Sequence, residues 1–257
     1  MSTDSLRRTA LEVLASPGNH RFGRGVHYLL PEVCKHAGGQ VAPRQLMAVL
    51  WQLLAEGLVF IDYEQPSPEN WLWVITERGR RVVSSGEYEP DDPEGYVRRL
   101  QSRVDSLDEL VVLYTREALH AYSTSCYLAS AVMLGVASER AFQVLGEAIV
   151  TWLPHSEAVG FRRVFENPRQ AYQAKFLEFR KRLEPHKPDL PLEFSESMAL
   201  TLDSVLDLLR IARNEAGHPT GRRVDREDAY ISLQMFARYV EKMFKLRAFF
   251  KADATAS

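Results

Sequence analysis

Near its C-terminal end the chain reads Arg213-Asn214-Glu215-Ala216-Gly217-His218-Pro219. An arginine and a histidine this close can carry out phosphodiester chemistry on RNA. A neutral imidazole takes the 2′-hydroxyl proton, and an imidazolium protonates the leaving 5′-oxygen. A guanidinium holds a phosphate through two hydrogen bonds and offsets charge developing on its oxygens. None of these steps needs a metal ion or another cofactor. One histidine cannot readily be acid and base together, whereas two copies related by a twofold axis supply both.

The same stretch also reads as the end of a helix. A residue before proline is pushed out of the α region, so His218 is expected outside the helix. Gly217 suits the left-handed conformation that closes a helix. Arginine and histidine in a last turn complement the helix dipole on their own account. On an unbroken helix Arg213 and His218 would point about 140° apart; a turn at Gly217 relaxes that constraint and can swing His218 toward Arg213. Asn214 either donates to a phosphate and orients Arg213, or is a polar residue at a helix end. Arg222, Arg223 and Arg226 follow, as an RNA-holding cluster or a solvated loop. Lys242, Lys245 and Arg247 add positive charge later, where helix-dipole complementation accounts for them equally well.

The elements that must position these residues follow from periodicity. Helices are expected over 5–16 and 26–39, with Pro31 near the start of the second, where proline is tolerated. A third carries Leu46, Met47, Val49, Leu50, Leu53 and Leu54 on one face and stops at Gly57. Two runs rich in β-branched and aromatic residues, 58–64 and 71–79, flank Gln65–Asn70 and read as a hairpin. Proline, glycine and acid cluster in Ser84–Tyr96, which reads as a linker between domains. Beyond it five helical segments are expected. The first has Ser106 and Glu109 as a capping box. The second is long, slimmed by Ser125, Ala129, Ala131, Gly135 and Ala137, and stopped by Pro154. The third covers 168–184 and the fourth 195–217. The fifth begins after an N-cap at Asp225. The fold class is therefore mainly α, with domains at 1–86 and 99–251, a linker at 87–98 and a disordered tail at 252–257.

Composition narrows the function classes. The 257 residues carry a formal net charge of -2, so no global basic field draws the protein to nucleic acid or anionic lipid. Residues 1–90 hold nine Lys/Arg against ten Asp/Glu. Cys34 and Cys126 stand in separate segments without Cys-x-x-Cys spacing, which fits a reducing, cytoplasmic setting rather than a disulfide scaffold. The N-terminus lacks the apolar core of a secretory signal. No apolar run approaches the roughly 20 residues of a membrane span, so no membrane partner is expected. The seven histidines show no His-x-x-His or His-Glu-x-x-His spacing, which predicts no metal site. Ser16–Gly25 is glycine-rich but lacks the ending of a phosphate loop, and no Gly-x-Ser-x-Gly elbow occurs.

Two resemblances add to this reading. Three helices followed by a hairpin resemble a winged helix-turn-helix domain. A helical bundle whose late helix ends in Arg213-Asn214-x-x-x-His218 resembles the HEPN superfamily, over about Tyr96 to Phe250. The wording around Gly217 is similar to a bacterial branch of that superfamily, in which a preceding helix carries a small-residue run leading to a glutamate, here Glu139. The resemblance implies a metal-independent endoribonuclease that dimerises through its bundle, joins two motifs in one cleft and serves as a toxin or anti-phage effector. Arg213 would then stabilise the phosphate and His218 act as acid/base. Glu139 either faces the cleft and pairs with Arg213 or is an ordinary salt-bridged helix position. The alternative is a non-catalytic protein whose winged helix binds DNA or a protein partner and whose bundle serves assembly. For DNA, the third helix offers only Arg44, Gln45 and Gln52, with Arg78, Arg80 and Arg81 after the second strand as phosphate contacts. Trp51, Trp71 and Trp73 are either core of the domain or a partner surface.

Overall fold

The computed structural model describes residues 2–17, 25–62, 71–84, 89–192, 194 and 223–256. The chain is mainly helical and divides into two compact units, Met1–Asp92 and Pro93–Ser257. The helix expected over 195–217, with Arg213, Asn214 and His218, lies outside the described residues, as does Arg222.

In the first unit α1 (Thr3–Ala15), α2 (Val26–Ala37) and α3 (Pro43–Ala55) precede an antiparallel pair, β1 (Val59–Asp62) and β2 (Leu72–Ile75). Val59 pairs with Ile75 and Ile61 with Trp73, so alternate residues of both strands join the core with Leu29, Val33, Leu46, Val49, Leu50 and Leu53. Gly57 ends α3 at φ 70°, and the amides of Gly57 and Leu58 bond back to the carbonyls of Leu54 and Leu53. Pro31 sits in the sixth position of α2, further into the helix than expected. The second strand also ends earlier than expected, because α4 (Glu77–Ser84) starts directly after it. Thr76 caps α4: its hydroxyl oxygen accepts from Gly79 N at 3.0 Å. That hydroxyl also lies 2.9 Å from Gly57 O and 3.0 Å from Leu58 O.

The boundary between the units lies in the stretch expected to be a linker, and the described part of that stretch, from Glu89 on, is tied down by ion pairs and a helix. Asp91 pairs with Arg78 at 3.1 Å and Arg81 at 3.4 Å, while Arg7 holds Glu56 at 2.6 Å and Asp92 at 3.0 Å. Arg7 and Asp91 are buried, so these pairs fasten the end of the first unit onto α1 and α4. A helix, α5 (Pro93–Arg103), then begins inside the expected linker. Proline fits the first helical position because its missing N–H has no helical partner there anyway. Tyr96, Val97 and Leu100 give α5 a buried stripe.

In the second unit α5 is followed by α6 (Glu109–Ser123), α7 (Tyr127–Trp152), α8 (His155–Phe165), α9 (Tyr172–Leu183) and a 3₁₀ turn over Glu184–Asp189. The last helix, α10, spans Arg226–Ala256. The core helix α7 packs against α6 on one side and α10 on another. Tyr96 OH donates to Leu233 O at 2.6 Å and Tyr239 OH to Ser138 O at 3.4 Å, joining α5 and α7 to α10. Burial holds the Tyr239 phenol well above its ordinary value, so it stays a neutral donor. Around Phe142 stand Phe165, Tyr172, Phe176 and Phe179, which bind α8 and α9 to α7. Helix α8 was not expected; Pro154 stops α7 as anticipated, but Ala158, Phe161 and Phe165 at helical spacing start another helix at once. The tail is not disordered over 252–256, where α10 continues to Ala256 and Trp152 Nε1 donates to Asp253 at 2.8 Å.

Helix α7 is long and apolar enough to cross a membrane by length and composition alone. Of its apolar window 56% is buried within the structure, as in the central helix of a bundle.

The N-cap of α6 also departs from expectation. Ser106 adopts φ 55° and does not cap the helix; Asp108 does, accepting from Leu110 N and Val111 N. The same carboxylate takes Arg140 of α7 in a two-point grip, at 2.7 and 3.2 Å. Burial pushes the Asp108 carboxyl up. The hydrogen bond from Arg140, the two amides and the guanidinium charge outweigh it and hold the group below its ordinary value. A depressed folded-state value gives stability that is complete above the unfolded value of about 3.9 and is lost as the pH falls through the folded one. Asp108→Ala is therefore expected to cost about 1–2 kcal/mol at pH 7, chiefly the lost cap. Urea midpoints of the two proteins should converge as the pH is taken below about 4.

Candidate functional site

One end of the second unit holds the two described arginines of the sequence-predicted RNA-binding cluster, Arg223 and Arg226. Helix α6 ends at Ser123, and the chain turns through Thr124, Ser125 and Cys126 before α7 begins. Ser125 takes φ 63°, which lets the turn close in so few residues. The segment entering α10, Arg223 to Asp225, passes the same place, and Asp225 caps α10 by accepting from Asp228 N at 2.9 Å. That cap was expected. Between turn and segment lies an open groove of about 710 Å³, lined by Ser125, Tyr127, Leu128, Val132, Met133 and Arg223, with Cys126, Ala129 and Val224 completing it.

The two described arginines of the expected RNA-holding cluster therefore sit together at this end. Arg223 is exposed and lines the groove. Arg226 lies with its guanidinium 5.5 Å from the centre of the Tyr122 ring. Tyr122 in turn meets Tyr127 at 5.6 Å between ring centres, and Tyr127 lines the groove. The result is a ladder from cation to ring to ring. Ser125 and Ala129 were expected to slim α7 for a close neighbour; both are exposed at the groove, while Ala131, Gly135 and Ala137 are the small residues buried in the packing. The tyrosines were not singled out in the sequence, although Tyr122 and Tyr127, five residues apart around a Ser-Thr-Ser-Cys turn, were a readable signal.

Glu139 lies half-buried on α7, and its suggested partner Arg213 is outside the described residues. Its neighbour Arg140 is committed to Asp108. Arg247 is also used internally, donating to Ser106 O at 3.0 Å. Among the described residues no group of three or more His, Cys, Asp or Glu side chains is placed to hold a metal ion.

In the first unit, the arginines offered as DNA-phosphate contacts are engaged elsewhere. Arg78 and Arg81 pair with Asp91, and Arg80 pairs with Glu77 at 3.2 Å while reaching Ile75 O. The outer face of α3 presents Arg44, Gln45, Ala48, Trp51, Gln52 and Ala55. Trp73 is core, and Trp51 stands edge-on to it at 5.9 Å with 51% of its surface exposed. Comparison of the chain with protein-family models, with curated proteins and with solved structures finds no match in any of the three.

Proposed function

We propose that the protein is a metal-independent endoribonuclease of HEPN type, a toxin or defence effector that works as a twofold dimer of its helical bundle. The observation that carries this reading is the run Arg213-Asn214-x-x-x-His218 leading directly into Arg223 and Arg226, two arginines that stand at one end of the bundle beside an aromatic-lined groove. In the sequence His218 precedes Arg223 by five residues, so the motif and the arginine pair belong to one short stretch of chain.

In this reading His218 of one protomer removes the 2′-hydroxyl proton. The 2′-oxygen attacks phosphorus as the bond from phosphorus to the 5′-oxygen breaks, and the second copy of His218 protonates that leaving oxygen. Arg213 grips the non-bridging oxygens and Asn214 orients it. The products are a 2′,3′-cyclic phosphate and a 5′-hydroxyl end. We assign the first unit as a winged-helix-like domain. The exposed Trp51 and the commitment of Arg78 and Arg81 to Asp91 favour a protein partner there over DNA.

Expression in a bacterial host tests the reading. The wild-type chain is expected to arrest growth and fragment cellular RNA, and Arg213→Ala is expected to do neither. Equal growth and intact RNA for both proteins at equal expression would defeat it.

A further inference from the structure

The groove has a composition that a purely structural cleft does not require. Its walls are the aromatic ring of Tyr127 and the apolar side chains of Leu128, Val132 and Met133, and the charged side chain at its edge is a guanidinium, Arg223. Among the described residues that line it there is no carboxylate, and Asp225, next to Val224 in the sequence, is spent on capping α10. An apolar, aromatic floor with a cation at the rim complements one chemical unit well, a planar base joined to a phosphate. Its volume of about 710 Å³ leaves ample room for such a unit. Arg226 lies 5.5 Å from the centre of the Tyr122 ring, and Tyr127 packs on Tyr122 at 5.6 Å with the two rings tilted by 60°, which holds the Tyr127 ring at the groove wall.

We propose that this groove binds a nucleotide of single-stranded RNA, with its base against Tyr127 and Leu128 and its phosphate held by Arg223. The proposal rests on the nuclease reading for its choice of RNA, and it assigns the groove to a nucleotide flanking the one that is cut. Binding there would position the strand before chemistry and would favour unpaired over duplex RNA, since a paired base cannot enter.

The test uses the full-length chain carrying His218→Ala, so that RNA stays intact, with a fluorescent single-stranded oligoribonucleotide followed by anisotropy. Tyr127→Leu removes the stacking ring but keeps an apolar side chain, and it is expected to weaken binding about tenfold. Leu128→Asp places a carboxylate in the groove at an exposed position in the first turn of α7, where an acid favours the helix. It too should lose about tenfold while the thermal midpoint holds. Arg223→Ala should lower the slope of log affinity against log salt by about 0.7. Unchanged affinity and slope in all three variants, or no RNA binding by the parent, would overturn the proposal. Dissociation of a dimer by Leu128→Asp with RNA affinity unchanged would make the groove an interface between copies and overturn it. Displacement of the oligonucleotide by adenosine 5′-monophosphate at equal affinity would make the ligand a free nucleotide and likewise overturn it. The two readings fail separately. RNA cleavage by wild type with groove variants unaffected sinks only the groove, and groove-dependent binding without cleavage sinks only the nuclease.

Discussion

Gly79→Ala is expected to destabilise the first unit by about 3 kcal/mol, the upper range for an overpacked site. A Cβ at position 79 would overlap the carbonyl oxygen of Leu58 and stand 2.7 Å from Ile75 Cγ1. The first neighbour is backbone, so it cannot swing aside as a side chain would. Leu58 is fully buried, and its carbonyl already receives Thr76 N at 3.0 Å and the Thr76 hydroxyl. Moving it would disturb the pairing of β1 with β2 and the cap of α4 together. Gly39→Ala is the matched control, with nothing within 4 Å of the added methyl and no positive φ, and should change stability by only a few tenths. Tryptophan fluorescence during urea unfolding reads the difference, because Trp51, Trp71 and Trp73 all lie in the first unit. Coincident curves for Gly79→Ala and wild type would contradict the close approach of α4 to Leu58.

His218→Ala should reduce RNA cleavage by a factor on the order of 10²–10⁴, the usual share of a general acid–base group. In a dimeric site the loss is the larger of these, because one substitution removes acid and base together. Arg213→Ala should cost on the order of 10²–10³, as does loss of one donor to a developing oxyanion. Arg213→Lys should recover little of it, because an ammonium is a point charge without the planar two-point grip. Neither variant is expected to change the thermal midpoint by more than a few degrees. A fall in melting temperature that parallels the fall in activity would instead assign the two residues to structure.

Much of the helical content was legible because apolar residues recur at helical spacing over long stretches. The faces of α3, α7 and α10 follow from such runs, and so does the hairpin from Val59–Asp62 and Leu72–Ile75. Helices α4, α5 and α8 escaped because they are short and begin beside residues that usually punctuate a chain. Thr76 looked like strand and is a cap; Pro93 looked like a break and is the first residue of a helix; Pro154 does end α7, but it also caps the next helix. The boundary between the two units, at Asp92 and Pro93, falls within the stretch read as a linker, but the ion pairs there were not legible, for an electrostatic reason. The acids of Glu89–Asp92 appeared solvated, yet Asp91 and Asp92 are matched by Arg78, Arg81 and Arg7, the last from 85 residues away, and no local pattern reports such a partner. At the site, residue types were readable and their neighbourhood was not. Sequence nominated Arg223 and Arg226, but that Tyr122, Tyr127 and the start of α7 stand beside them follows only from the turn between α6 and α7.

The central claim is that Arg213 and His218 cleave RNA without a metal ion. Its most direct test is incubation of the purified full-length protein with single-stranded RNA in excess EDTA, with the product ends resolved by mass. The account predicts fragments ending in 2′,3′-cyclic phosphate and 5′-hydroxyl, absent with either Arg213→Ala or His218→Ala. Intact RNA with the wild-type dimer, or 5′-phosphate ends that persist in both variants, would contradict it.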